Sequence, residues 1–489
     1  MNIKSIKIGK SPSISVDYAG EGEMLIFLHG IGGNKKNWKD NLYFFSDKFL
    51  SVAWDTRGYG ESDDYEGALK FDDILDDLKK VLDFFNKDKA HIVGLSMGGQ
   101  IATLFYEKYS NYVKTLTLCD THFGLSNLSK KDVERFINLR KEPLLKGKEP
   151  KDIAPIVAET LIGDMKNTSA FKQLVDSMSL LHKDSYLKTI DTSMRTEHRH
   201  IFKTINVPTL IMVGELDSLT PPSMSKEIMK EIKNSYIKII PEAGHLINIE
   251  KPELFNHNLR SFLESWMKIN KIKFYVYLLI YSRIKHTKLM TKNMRSPSNG
   301  FLGNIAKYLM VNFNEFIIND SVKKLDVRNN DEVIEIGSGN GQAIEKILQL
   351  TNKKITSIEV SEKFRNQLIQ KFSNQKVVFF SNDAKQLEDI IKDNTFTKLL
   401  AINVIYFLYP LSDYAKEFYR ILKFDGVGLL ACKFKGIKNF DDKVAPNKDL
   451  NEVVRAFEKV GFLVNTEFVD SKNEQKVYHA IYLRKVKNG

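Results

Sequence analysis

Cysteine is nearly absent: Cys119 and Cys432, far apart in the chain, are the only two in 489 residues. That excludes a disulfide framework and suits a reducing cytoplasm. Long hydrophobic runs are missing as well. The longest, FYVYLLIY at 274–281, falls far short of the ~20 apolar residues that a membrane-spanning helix needs. The opening MNIKSIKIGKSPSISVDYAG has no continuous apolar stretch behind its charges, so no secretory leader is expected. Acidic residues are missing from Lys268 to Arg295, which holds eight Lys or Arg and so carries most of the formal net charge of +12. Charge concentrated in one solvated run is weak support for nucleic-acid binding, and none is expected.

What is present fits a soluble, multi-domain chain: 43% of residues are hydrophobic and 27% charged. Before residue 268, MLIFLHG (24–30), LSVAWD (50–55), AHIVGLS (90–96), KTLTLCD (114–120), PTLIMVG (208–214) and SYIKIIP (235–241) read as strands. Amphipathic segments such as DDILDDLKKVLDFF (72–85) and QIATLFYEKY (100–109) alternate with them, which predicts a mostly parallel, doubly wound sheet. From about 122 to 200 the pattern turns helical, as in a cap over the sheet. A second alternation follows residue 296, with strands at 331–337, 354–360, 376–383, 397–407, 426–434 and 477–484. The expected architecture is therefore α/β in two domains, 1–267 and 296–489, joined by a basic helical linker at 268–295.

GLSMGG (94–99) places Ser96 between glycines where a strand turns into a helix, the setting of a nucleophile elbow. HGIGG (29–33) ends an earlier strand, so the backbone N–H groups of Ile31 and Met97 could hold an oxyanion. GELDSLTPP (214–222) supplies Asp217 and EAGHLINIEKPE (242–253) supplies His245, giving the chain order nucleophile, acid, base. These motifs, with DTRGYGESD (55–63) and LCDT, resemble the α/β-hydrolase superfamily, and most of all its 3-oxoadipate enol-lactonase branch. The resemblance covers about 10–267. It implies hydrolysis of an ester or lactone, with Ser96 as nucleophile, His245 as base and Asp217 as the orienting acid. His29 is read as structural, and His182, His198 and His200 as surface residues of a polar cap, so no metal site is expected.

VIEIGSGNG (333–341) is a strand followed by a glycine-rich turn and a helix, where backbone can approach a nucleotide-like ligand closely. Glu359 ends the next strand, where it would bind ribose hydroxyls whether the ligand is a dinucleotide or not. With SNDA (381–384) and LLAINVIYFLYP (399–410), these features resemble class I S-adenosylmethionine-dependent methyltransferases over about 296–486, whose core is Rossmann-like. The resemblance implies that Glu335, Gly337, Gly339 and Gly341 surround the methionine part of S-adenosylmethionine. It also sets Glu359 on the ribose, Asp383 facing the adenine and Asn403 beside the sulfonium. The Asn-Pro-Pro-Tyr sequence used to methylate base and glutamine nitrogens is absent; INVIYF stands there instead. A small molecule or lipid is the expected acceptor, with Tyr406 as a candidate residue on the acceptor side.

The whole chain is thus expected to be a bifunctional cytoplasmic enzyme, a serine hydrolase plus a methyltransferase. Two alternatives stay open: a hydrolase with a degenerate S-adenosylmethionine-binding module, and a methyl-ester hydrolase and methyltransferase pair of biotin-precursor type. The segment 268–295 is either an amphipathic helix lying on an anionic membrane surface or an inter-domain helix.

Overall fold

A computed structural model describes residues 2–124, 130–373, 375–470 and 477–486. The chain divides into two compact units, Met1–Ile269 and Asn270–Gly489.

The first unit is built on β1 (Lys4–Ile8), β2 (Ile14–Ala19), β3 (Glu23–Leu28), β4 (Phe49–Trp54), β5 (Ala90–Leu95), β6 (Val113–Cys119), β7 (Thr209–Gly214) and β8 (Ser235–Ile240), in the order β1-β2-β4-β3-β5-β6-β7-β8. From β4 to β8 every pairing is parallel; β1 and β2 add antiparallel at one edge. The central strands are covered on both faces, which is why β4, β5 and β7 are buried at every position and read as mostly apolar runs. The helix Phe71–Phe84 shows the opposite pattern: Ile74, Leu75, Leu78, Val81 and Leu82 form one buried stripe, and Asp72 and Asp73 sit in its first turn, where the helix dipole favours acid.

Helices Lys130–Leu145, Pro150–Glu159, Thr168–Met178, Lys183–Arg195 and Arg199–Phe202 fill the interval between β6 and β7. They form the helical layer expected for 122–200, apart from 125–129, which lie outside the described residues. Two close backbone crossings pin the sheet to its helices. A Cβ on Gly94 would meet the Gly98 carbonyl oxygen at 2.1 Å, and one on Gly98 would meet the Leu28 oxygen at 2.1 Å.

The second unit carries β9 (Val333–Ile336), β10 (Ile355–Ile358), β11 (Val377–Phe380), β12 (Phe396–Ile402), β13 (Leu422–Cys432), β14 (Phe462–Asp470) and β15 (Val477–Lys485), in the order β11-β10-β9-β12-β13-β15-β14. The pairings from β11 to β13 are parallel, and β15 runs antiparallel to both neighbours. Strand order reverses between β9 and β12, so a crevice opens past their carboxyl ends.

The joint differs from a separate linker helix. Pro252–Ile284 is one 33-residue helix, and the boundary expected at 267/268 falls inside it. No Gly, and no Pro after the first residue, interrupts that helix. Its early residues Phe255, Leu259 and Leu263 are buried in the first unit. Beyond 270, Phe274, Tyr277, Ile280, Tyr281 and Ile284 pack on Met290, Ile305, Ala306 and Leu309 of the second. Ile272, Tyr275, Val276 and Leu279 stay exposed. Among the described residues no helix is long and apolar enough to cross a membrane.

The Gly98 crossing yields a first test. Gly98→Ala forces a methyl group onto backbone that cannot move independently, and overpacking of this kind costs about 1–3 kcal/mol or more. A urea melt of the variant should show that loss; parental stability would mean that the helix Met97–Tyr109 slides freely on β3.

Candidate active sites

In the first unit, β5 ends at Leu95 and the helix Met97–Tyr109 begins two residues later. Ser96 makes the turn with φ +54° and ψ −117°, a backbone conformation costly for a residue with a side chain. The strain is held by hydrogen bonds: Ser96 N–H donates to the Cys119 carbonyl (2.8 Å), and the Thr121 hydroxyl donates to the Ser96 carbonyl (2.8 Å). The hydroxyl of Ser96 is thereby lifted off the strand end.

His245 and Asp217 meet it there. Ser96 Oγ lies 2.9 Å from His245 Nε2, and His245 Nδ1 lies 2.9 Å from Asp217 Oδ2. An imidazole with its proton on Nδ1 donates to the carboxylate and leaves Nε2 as acceptor for the serine hydroxyl. Asp217 also accepts from the Thr220 hydroxyl (2.6 Å) and from the backbone N–H groups of Leu219 (2.8 Å) and Thr220 (3.0 Å). Burial would raise its pKa, but the charge and hydrogen bond of His245 outweigh it, and the pKa falls to about 2. Asp217 is therefore a carboxylate throughout the neutral range.

Ile31 and Met97 flank Ser96. Gly30 lies so close that a Cβ there would stand 2.9 Å from Ser96 Cβ. Met97 opens a helix, so its N–H has no intrahelical acceptor, and among the described residues neither Met97 nor Ile31 donates its N–H to a protein group. His29 acts on the loop, as expected: Nδ1–H donates to the Gly30 carbonyl (2.9 Å), and Nε2 accepts from Thr56 N–H (3.0 Å). Burial lowers its pKa to about 4, so it is neutral and structural.

A cavity of about 530 Å³ opens on Ser96, Ile31 and His245, with Trp38, Leu161 and Leu174 among its apolar walls. Arg140, 3% exposed, is a cation on that wall that sequence reasoning did not single out. Glu250 was quoted only as part of a motif. Its carboxylate accepts N–H bonds from Gly163 (2.8 Å), Gly244 (3.0 Å) and Leu246 (3.1 Å), and so fixes the loop that carries His245. The cap histidines do not converge. His182 pairs with Asp64 and His200 with Glu107, while His198, expected at the surface, is buried and donates Nε2–H to the His122 carbonyl (2.8 Å). The rings of His122 and Phe202 enclose it.

In the second unit, residues at the carboxyl ends of β9, β10, β11 and β12 line one cleft: Glu335, Gly337, Gly339, Glu359, Asp383 and Asn403. Gly341, φ +78°, starts the next helix; a Cβ there would strike Leu368 at 2.6 Å. Gly337 has φ +73°, and a Cβ on it would strike Val404 at 2.5 Å. Gly339 has φ +54° and open space where a side chain would stand, so ligand can come to the bare backbone. Glu359 accepts N–H bonds from Gly339 and Ser361, both 2.8 Å, one on each oxygen. A carboxylate offers about four lone-pair positions, so two remain for hydroxyls. Glu335 is buried with Oε2 unpartnered, and burial pushes its pKa up to about 7. An orphaned carboxyl oxygen beside an open glycine backbone suits a ligand with an ammonium group and a ribose, as S-adenosylmethionine has.

Asn403 has φ +55° and donates Nδ2–H to Asn314 Oδ1 (3.0 Å). Tyr406 is buried; its hydroxyl donates to Asn403 Oδ1 (2.8 Å) and accepts from the Lys433 N–H. Burial raises its pKa well above the ordinary value.

Glu250 gives the second test. Glu250→Ala strands buried amide donors at a cost of about 1–3 kcal/mol each. The variant should lose thermal stability and the chemistry of the His245 loop together; full retention of both would show that the loop holds itself.

Comparisons with known proteins bear on the two domains. Residues 23–252 match the family model of the alpha/beta hydrolase fold, and residues 334–430 that of a methyltransferase domain. The chain is 26% identical over 265 residues to 3-oxoadipate enol-lactonase 1 of Acinetobacter baylyi, an alignment spanning 53% of this chain and 94% of that protein. It is 23% identical over 266 residues to 3-oxoadipate enol-lactonase 2 of the same organism, over 51% and 94%. A solved esterase from Thermogutta terrifontis is similar at 24% identity and a TM-score of 0.49, over 54% of this chain and 99% of that one.

Proposed function

From an α/β-hydrolase domain followed by a methyltransferase domain in one chain, we propose a bifunctional enzyme that hydrolyses an ester or lactone and methylates a small molecule or lipid. The observation that carries the first half is the unbroken chain of hydrogen bonds from Ser96 through His245 to Asp217 beside two N–H groups without acceptors. The names of the relatives, enol-lactonases, favour ring opening of an unsaturated lactone within that class.

In this mechanism His245 Nε2 takes the Ser96 proton as Oγ attacks the carbonyl carbon. The carbonyl oxygen gains charge and is held by the N–H groups of Ile31 and Met97. Asp217 stabilises the imidazolium. Collapse of the tetrahedral adduct returns the proton from His245 to the departing alcohol oxygen, which in a lactone stays tethered. Water, deprotonated by His245, then releases the acid from Ser96. Both cysteines are buried free thiols, in keeping with a reducing, cytoplasmic setting.

When bound in the second unit, S-adenosylmethionine supplies a methyl group activated on sulfur. Glu359 would accept both ribose hydroxyls, Asp383 would face the adenine, and Gly337 and Gly339 would admit the methionine part against backbone, while Gly341, outside the cleft lining, gives Leu368 and Phe372 room to pack on the turn. Glu335 would pair with its ammonium through the oxygen that now lacks a partner. Asn403 would stand beside the reacting carbon.

Ser96→Ala should abolish hydrolysis of a generic aryl ester by several orders of magnitude while leaving S-adenosylmethionine binding intact. Persistent turnover would refute the triad. Glu359→Ala loses two bonds to a charged acceptor, worth ~1.5–3 kcal/mol each, so calorimetry should show at least tenfold weaker donor binding.

Glu335 makes that binding depend on pH. Below about 7 its carboxyl is neutral; above, it is an anion able to pair with the ammonium. Donor affinity should therefore rise as pH is raised through 7, with proton release on binding. Glu335→Gln should flatten the profile, and an equally steep profile in that variant would remove Glu335 from the site.

A further inference from the structure

The donor cleft of the second unit does not close at Asn403. Met294, Met310, Asn314, Asn403 and Phe407 line it and also line a second cavity of about 300 Å³. That volume is at the lower end for small-molecule sites. Its other walls are largely apolar and aromatic, with Tyr281, Phe313 and Phe440 among them. The charged residues that line it are Lys433 and Lys435.

Lys433 lines the second cavity beside Asn403, which the two cavities share. It follows the last residue of β13, which pairs in parallel with β12 up to Ala431 opposite Ile402, so Lys433 and Asn403 leave the sheet side by side. Asn403 N–H donates to the Ala431 carbonyl (2.8 Å), and Lys433 N–H reaches the Asn403 oxygen (3.3 Å) as well as the Tyr406 hydroxyl. The ammonium of Lys433 donates to the Phe313 carbonyl, which aims it across the cavity wall. One hydrogen-bonded set, Asn314–Asn403–Tyr406–Lys433, therefore forms the partition between the cleft and the cavity.

We propose that this second cavity is the acceptor subsite, and that the Lys433 ammonium there holds the anionic oxygen, carboxylate or phenolate, of an apolar acid that receives the methyl group. The assignment rests on reading the adjoining cleft as the donor site. Aromatic walls suit an apolar body, and lysines on the wall attract an oxyanion and repel an amine.

Partial burial brings the Lys433 pKa down to about 8, so it is still mostly a cation at neutral pH, and an anion beside it would hold it so. In the transfer a lone pair of the acceptor oxygen forms the new O–C bond as the methyl carbon's bond to sulfur breaks. That bonding pair remains on sulfur, and no proton moves. The product, a methyl ester or methyl ether, is neutral. It no longer attracts Lys433, which favours its release.

Calorimetry on the full chain, with S-adenosylhomocysteine filling the donor cleft, tests this without any turnover. The probes are 4-phenylbutyrate, 4-nitrophenol above its own pKa, and 4-phenylbutylamine. The acids should bind and the amine should not. Lys433→Met should weaken the acids at least tenfold and leave S-adenosylhomocysteine binding unchanged, and Lys433→Arg should restore most of the loss. Phe440→Trp, which fills the cavity without touching Lys433, should also weaken the acids, and it serves as the test should Lys433→Met not fold. Labelled methyl donor then distinguishes the sources: an alkali-labile ester from the carboxylate, a stable ether from the phenolate.

Amine binding stronger than acid binding, or acids bound equally by the parent and Lys433→Met, would overturn the subsite. S-adenosylhomocysteine binding with no acid binding would overturn it while sparing the donor cleft. No S-adenosylhomocysteine binding by the parent chain would remove the donor reading, and the acceptor role with it.

Discussion

Close approach of backbone to backbone at the carboxyl ends of parallel strands is the constraint on which both candidate sites depend. In the first unit the helix after β5 can start beside β3 only because Gly98 leaves room for the Leu28 carbonyl. That proximity brings Gly30 against Ser96. In the second unit Gly337 and Gly341 let the loop after β9 pass under Val404, Leu368 and Phe372. Gly339 then presents bare backbone. Packing clearance is common to the two places, and the second adds one glycine, Gly339, with open space beside its backbone.

The same constraint explains what could be read in advance. Strands buried on both faces are continuous apolar runs, and all six expected in each half are present. Three strands were missed: Ile14–Ala19 is mostly buried but reads ISVDYA, with polar residues breaking the run, and the other two lie in surroundings that erase the signal. Lys4–Ile8 is exposed at most positions, and Phe462–Asp470 is mostly exposed at the end of its sheet. The joint misled for another reason. Its charge made it look like a separate segment, but nothing in 252–284 breaks a helix, and Phe274, Tyr277, Ile280, Tyr281 and Ile284, at helical spacing, pack partly buried in the second unit. Ser96, Asp217 and His245 were legible because each stands in a short motif with its own backbone signature. Glu250, Thr220, Arg140 and Lys433 carry no such signature. Their roles come from contacts across the fold: Glu250 reaches Gly163, 87 residues away, and Lys433 reaches Phe313, 120 away. His198 lay in a polar HRH run, and the rings of His122 and Phe202 packed on it make it a core residue.

Environment, more than residue type, separates the carboxyl groups that work from those that support. Asp120 and Asp217 both stand at the ends of neighbouring strands, and both are buried. Asp217 gathers the imidazole, a hydroxyl and two backbone N–H groups, and stays ionised at a pKa of about 2. Asp120 accepts from Gly214 N–H (2.8 Å) and leaves Oδ2 without a side-chain partner. Burial, reinforced by the charge of Asp217, drives its pKa up. Two anions side by side in so dry a place would cost more than either could gain, and the hydrogen-bond donors decide which one keeps its charge. Glu335 and Glu359 repeat the contrast in the second unit. Burial raises both, but Glu359 has two N–H donors to offset it, while Glu335 has an orphaned oxygen and the charge of Glu359 nearby. A buried oxygen without a donor is a free-energy cost that folding alone does not relieve. A bound cation would relieve it, and this is why the cleft, and not the sheet around it, is the place where the second unit has reason to bind something.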